Sequence, residues 1–161
     1  MYNKNAKRVR GFFHGDLKVD SANYPIVQGE MVKWDASSHI AVPVSAADVA
    51  TNLLGVSSDC VPARGNVKND TTSLPEQINA EFNDIFEMDG TVNDVLYDFD
   101  EVYVGANSTT VKKTQGGTGQ GETPQKAVGY VRLPSGTASL TVAASTKVPV
   151  FMYSRMNNLV G

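Results

Sequence analysis

The sequence predicts an all-β fold, a β-sandwich or β-barrel-like domain with an extended N-terminal arm. Three observations carry this. Short runs rich in β-branched and aromatic residues recur along the chain. Most are closed by Gly, Pro, Asn, Asp or Ser, and Thr, Ser and Asn fill the gaps between them. The first kind of residue suits a pleated, half-buried surface, the second reverses the chain, and the third disfavours helix interiors.

In chain order, the predicted strands begin with Met31-Val32-Lys33-Trp34, whose alternation places Trp34 with the core. Val102-Tyr103-Val104, the run Val128 to Leu133, Ser139-Leu140-Thr141-Val142 and the run Val148 to Tyr153 follow. Two segments are less plain. Val44 to Leu54 has room for a helical turn or two, with Ser45 as N-cap, Asp48 as an imperfect capping-box acid and Gly55 as the stop. In residues 76–88, Ile78, Phe82, Ile85 and Phe86 fit a helix face, yet Ile78, Ala80, Phe82, Asp84, Phe86 and Met88 also alternate. Periodicity leaves helix and strand both open there, and the all-β context favours strand.

An internal echo is visible. Val32 to Ser38 is similar to Val102 to Ser108, and each leads to a Gly inside an apolar strand, Leu54-Gly55-Val56 and Val128-Gly129-Tyr130. The Gly-rich loop Gly116 to Gly121 absorbs the extra length of the second copy, since surface insertions cost little. The echo predicts two similar hairpins, each with a strand Gly that marks a bulge or a close backbone approach.

Composition bounds the function. The 161 residues are one domain's worth of chain, divided here into a basic arm over 1–13 and a single β-rich domain over 14–161. A net charge of −3 argues against a general nucleic-acid binder, and no apolar run is long enough to span a bilayer, so neither nucleic acid nor membrane is expected as a partner. One Cys excludes a disulfide framework within the chain and a multi-cysteine zinc site. The N-terminus has no apolar core of a secretory signal behind its charges, which points to synthesis in the cytoplasm.

Candidates for chemistry are weak. The loop Gly116 to Gly121 lacks the Lys-Ser/Thr of a phosphate loop, has no helix pattern after it, and reads as a flexible surface loop. No Ser stands in a nucleophile elbow, and nothing in the sequence ties His14 or His39 to a Ser. Cys60 follows Asp59, the wrong sign to activate a thiol, and reads as a small buried residue. The expectation is a protein with no catalytic residues, no cofactor and no metal.

Charge is more informative. Between Lys68 and Lys112 lie ten acids and no Lys or Arg. Asp84, Glu87 and Asp89 suggest oxygen ligands for a hard cation, but without the spacing of a calcium loop, so a solvated or interacting acidic face is the expectation. The first ten residues carry Lys4, Lys7, Arg8 and Arg10 and no acid. Lys7, Arg8 and Arg10, with Phe12 and Phe13 as an apolar anchor behind them, are the candidate contacts of an arm that docks on a neighbour, a capsid protein or another subunit.

Four motifs in order carry a resemblance: Gly29-Glu30-Met31-Val32-Lys33-Trp34-Asp35, Leu54-Gly55-Val56-Ser57, Asp100-Glu101-Val102-Tyr103-Val104-Gly105-Ala106 and Val128-Gly129-Tyr130-Val131. Over roughly residues 25–135 the chain resembles the head decoration, or cement, proteins of tailed bacteriophages. The resemblance implies a β-rich structural protein on the outer surface of a virion capsid, bound to the major capsid protein, assembled as a homotrimer or a similar closed oligomer and without catalysis. Residues after Pro134 and the basic arm fall outside the resembling motifs. The alternatives are another phage structural part, such as a head-fibre base or tail component, and a carbohydrate- or ligand-binding β-domain.

Overall fold

The computed structural model describes residues 12–59 and 77–156. The described residues form twelve strands and no helix. β1 (Phe12–Lys18), β2 (Met31–Asp35), β3 (Ile40–Pro43), β4 (Leu53–Ser57) and β5 (Gln77–Phe82) make a five-stranded sheet in the order β1-β5-β4-β2-β3. β6 (Ile85–Gly90), β8 (Glu101–Val104), β9 (Thr110–Lys112), β10 (Gly129–Val131) and β12 (Lys147–Met152) close into a barrel. The short strands β7 (Val95–Leu96) and β11 (Leu140–Thr141) pair with each other.

The two five-stranded units have one topology. β1, β2, β3, β4 and β5 correspond to β6, β8, β9, β10 and β12, and each is hydrogen-bonded to the same neighbours. The registers agree as well: Val32 faces Gly55 across β2 and β4, and Val102 faces Gly129 across β8 and β10. The hairpins β2–β3 and β8–β9 are those predicted by the echo. They differ in closure. β6 and β9 pair in parallel and seal the second barrel, whereas β1 and β3 come close without joining the same hydrogen-bonded ladder.

Each unit buries its own inward row. Leu17, Ile26, Val32, Leu54, Ile78 and Ala80 form the first cluster, and their counterparts Met88, Leu96, Val102, Val128, Val148 and Val150 belong to the second. The second cluster also takes in Met31, Leu53 and Val56, which lie on the outer face of the first sheet. The outer wall of the first unit is thus buried in the core it shares with the second. Backbone bonds tie the same junction: Met31 N–H donates to Ser108 O, Ala47 N–H to Gly105 O and Arg155 N–H to Leu53 O. Gln125, 3% exposed, adds a buried polar link. Its Nε2 donates to Asp48 O in the first unit and Val104 O in the second, while its Oε1 accepts from Gly116 N–H.

Three expectations are corrected. No helix forms over 44–54. Ala47 and Ala50 have φ of 52° and 60°, a left-handed conformation that cannot propagate a right-handed helix, and Asp48 uses its carboxylate on Ala50 N–H and Lys33. The loop Gly116 to Gly121 is not free at its start, because Gln125 and Gln115 pin it. The arm boundary at residue 13 falls inside β1, so Phe12 and Phe13 belong to the sheet. Residues 77–90, by contrast, are strands β5 and β6, separated only by Asn83 and Asp84, with Asn83 at a φ of 54°. The alternating phase holds: Ile78, Ala80 and Met88 are buried, while Ile85, required inside by the helix reading, is half exposed.

Candidate functional site

The outer wall of the second barrel is the feature that stands out. One register row crosses it: Ile85 faces Phe151, Phe151 faces Tyr130, and Tyr130 faces Glu101. Inward neighbours on these strands are apolar and buried, so pleating alone sends this row outward. Tyr130 stacks on Phe151 at 5.0 Å and on Phe99 at 5.8 Å, and meets Tyr153 at 5.8 Å. Arg132 lies over Phe99, 4.7 Å from its centroid, and Arg155 is 5.9 Å from that of Tyr153. Phe99 is 62% exposed and Ile85 50%. Arg132 Nε is 3.4 Å from Asp98 Oδ1, an ion pair whose alignment falls short of a hydrogen bond.

The electrostatics of the wall are mixed. Tyr103 O–H donates to Glu101 Oε2 at 3.4 Å. Partial burial, then the Glu101 charge, raises the phenols of Tyr103 and Tyr153 above their ordinary range, so both are neutral donors near neutral pH. A ridge of stacked rings capped by guanidinium groups has the composition of a protein contact surface, where aromatics and Arg are enriched.

On the first unit, beside the β2–β3 turn, is an open groove of about 790 Å³. Tyr24, Trp34, Asp35, Ala46, Asp48 and Asn52 line it. Trp34 packs against the first core cluster, as its alternation predicts, but is only partly buried and also lines the groove. The β2–β3 turn forms one rim. Asp35 builds this turn: its Oδ1 accepts from Ser37 N–H and Oγ–H, and its Oδ2 accepts from Ser38 Oγ–H. These bonds, Ser38's first, lower its carboxyl to about 2. On the other rim Asp48 is paired with Lys33 and also accepts from Ser45 Oγ–H. Burial pushes the Asp48 carboxyl up, but the Lys33 and Ala50 hydrogen bonds and the Lys33 charge outweigh it and leave the group lowered.

No family model, curated protein or solved structure matches this chain.

The residues singled out from sequence are scattered. Lys7, Arg8 and Arg10 lie outside the described residues, as do the side chain of Phe12 and Cys60. Phe13 stands on β1 and is 66% exposed, in the position that Ile85 occupies in the second unit. His14 is brought to Ser154: its Nε2 is 2.9 Å from Ser154 Oγ, and its ring stacks on Phe82 at 4.7 Å. Burial lowers the imidazole below its ordinary value. Ser154 also accepts from Met156 N–H and reaches Leu53 O, so this pair fastens β1 to the segment after β12. The partners are 140 positions apart, and no spacing rule could have joined them.

Several acids of the section 70–101 have specific partners. Asp89 pairs with Lys147 at 2.6 Å and Asp100 with Lys113 at 3.0 Å. Asp84 turns back on Ile85 N–H. Among the described residues, no three His, Cys, Asp or Glu side chains are gathered as a metal site would need. The aromatic wall was missed from sequence because its members come from four separate segments. The signal available was the outward phase of Tyr130 and Phe151 within otherwise apolar strands.

Proposed function

We propose that this chain is a structural virion protein that binds the outer surface of a phage capsid and stabilises it, acting as a decoration or cement protein and associating with copies of itself as a homotrimer. The reading rests on the four motifs that resemble that family. In the fold those motifs are β2, β4, β8 and β10 with the turns that begin them, which is the frame repeated in both units. The observation that supports its self-association beyond resemblance is the partly exposed wall of Phe99, Tyr130, Phe151 and Tyr153, which has the composition of a protein contact surface. Clamping neighbouring capsid subunits calls for extended contact surface, about 1,200–2,000 Å² in total for a stable interface, and not for reactive groups.

A ligand-binding β-domain is the second reading, favoured by the groove at Trp34 and Tyr24. Its two carboxylates, however, are engaged with Ser37, Ser38 and Lys33.

The test is binding of the purified chain to capsids stripped of surface proteins, read by cosedimentation at low and high salt. Saturable binding with added capsid stability to heat supports the reading. Failure to bind under both conditions, with a glycan array positive instead, would establish the second reading. Deleting residues 1–10 removes Lys7, Arg8 and Arg10 and is expected to weaken binding modestly, more at low salt, because exposed ion pairs are worth only about 0–1 kcal/mol each. Phe12→Ala with Phe13→Ala is expected to weaken it further, provided the β1–β5 ladder is retained by circular dichroism.

A further inference from the structure

The two repeats meet head to tail inside one chain, and that contact has an unused equivalent. Repeat one presents its outer wall, Met31, Leu53 and Val56, and this wall is buried. The β8–β9 turn of repeat two reaches its margin, where Ser108 O accepts from Met31 N–H and Ser108 Oγ–H donates to Glu30 Oε1 at 2.6 Å. On repeat two the same positions of the ladder are Glu101 and Tyr130, on a wall that the described residues leave partly exposed, with Phe99 and Ile85 open and Tyr130, Phe151 and Tyr153 half-covered. On repeat one the turn equivalent to β8–β9 is the β2–β3 turn, Asp35 to His39, which is exposed and forms a rim of the groove. Among the described residues, each chain therefore carries one partly exposed wall and one exposed turn.

We propose that the aromatic wall of the second repeat receives the groove end of the first repeat of another copy of this chain, in a heterologous contact that closes into a ring. The proposal rests on the self-association part of the function above and names its surfaces. Shape fits: the wall is a ridge of stacked rings, and the groove is a concavity lined by Trp34 and Tyr24, residues that stack well on Tyr and Phe. Charge is compatible as well: Asp35 at the groove's rim stays negative because its partners, Ser37 and Ser38, are neutral donors, and Arg132 and Arg155, held by Asp98 and by the Ala127 carbonyl, flank the ridge. The exposed parts of Phe99, Tyr130, Phe151 and Tyr153, with Ile85, form the apolar centre of a contact whose standard size is ~800 Å² per partner. A contact between two different patches of one chain gives closed rings when its rotation closes and filaments when it does not. Within the chain the equivalent contact is compact, and a ring is the form in which every wall is covered.

The experiment is directed cross-linking in a Cys60→Ser background. One variant carries Ser37→Cys at the groove rim and a second carries Ile85→Cys on the wall row. Mixed and mildly oxidised, the two are expected to give a covalent dimer that neither gives alone. A chain carrying both substitutions is expected to give a ladder that stops at one closed size. Phe151→Glu, on the wall, and Ala46→Arg, an exposed groove position that sets a cation against Arg132 and Arg155, are each expected to weaken self-association about tenfold or more, as loss of a central contact does. Circular dichroism reports whether Phe151→Glu still folds, and Ala46→Arg is an independent arm if it does not. An oligomer by light scattering whose mixed cysteines do not cross-link, or that survives Ala46→Arg, overturns these surfaces while leaving self-association standing. A chain that stays monomeric at every soluble concentration overturns both, and the capsid-binding assay then judges capsid attachment separately.

Discussion

Gly55 and Gly129 are the same residue of the fold, placed once in each repeat. A Cβ on Gly55 would lie 2.2 Å from the carbonyl oxygen of Glu81, and a Cβ on Gly129 would lie 2.2 Å from that of Phe151. Each faces a valine, Val32 or Val102, and in both the backbone of the next strand occupies the space of a side chain. Gly55 has in addition a φ of 141°, which L side chains rarely adopt.

Gly55→Ala and Gly129→Ala should therefore both destabilise, since backbone cannot swing aside as a side chain tip can. Overpacking alone costs about 1–3 kcal/mol, and Gly55→Ala should be the worse of the two because of its dihedral angle. Urea denaturation of each variant checks the order. Equal stability to the parent chain at either site would mean that the strands are not so closely spaced.

Gln125→Leu should separate the repeats without emptying either core. It orphans Asp48 O, Val104 O and Gly116 N–H, and a buried polar group left without a partner costs about 1–3 kcal/mol. A loss of at least about 2 kcal/mol is expected by the same reasoning. Hydrogen exchange should show faster opening of the loop that starts at Gly116.

Acid should weaken the fold in a defined window. Asp35, Asp48, Asp89 and Asp100 all have carboxyls lowered from an ordinary value of 3.8, Asp35 to about 2. The unfolded chain then takes up protons first, so the stability they supply is complete well above 3.8 and is lost as pH falls from there toward about 2. Denaturation midpoints between pH 5 and pH 2 follow this, and Asp35→Asn should make the decline shallower at its lower end.

His14 acts in a higher window with the same sign. Its folded value is below 6.5, so the unfolded chain is again the better base. Stability should rise as pH increases through about 6.5, where the unfolded imidazole loses its proton, and fall on the acid side. The difference in midpoint between pH 7.5 and pH 5.5 measures it, and His14→Gln should abolish most of that difference.

The strand framework was legible because its rule is local. Val102, Val104, Val148 and Val150 alternate in sequence and are buried in that same phase. The echo was legible too, since Val32 with Gly55 and Val102 with Gly129 are facing pairs. What local rules could not supply was the relation between the repeats. Met31 alternates with the inward Val32, and Val56 joins its face only through the register irregularity between β2 and β4, yet both are buried because the second unit covers them. The helix expected over 44–54 failed for a related reason, as Asp48 has a partner in Lys33 on the adjacent strand that outcompetes a capping role. The aromatic wall required knowing which strands are neighbours, and that order is not readable from spacing.

The fastening of His14 by Ser154, and of Leu53 by Arg155, sets an order on synthesis. A ribosome adds roughly 5–20 residues per second. Nearly 100 residues separate Val56 from Arg155, so on the order of 5–20 s pass before the last covering contact exists. During that interval the nascent first repeat carries Met31, Leu53 and Val56 bare beside an unsealed β1–β3 seam, as a sticky half-molecule. The bare wall of one nascent chain then competes for the second repeat of a neighbour whose own halves have not yet closed, so that crowded polysomes favour exchange of halves between chains over folding of each alone.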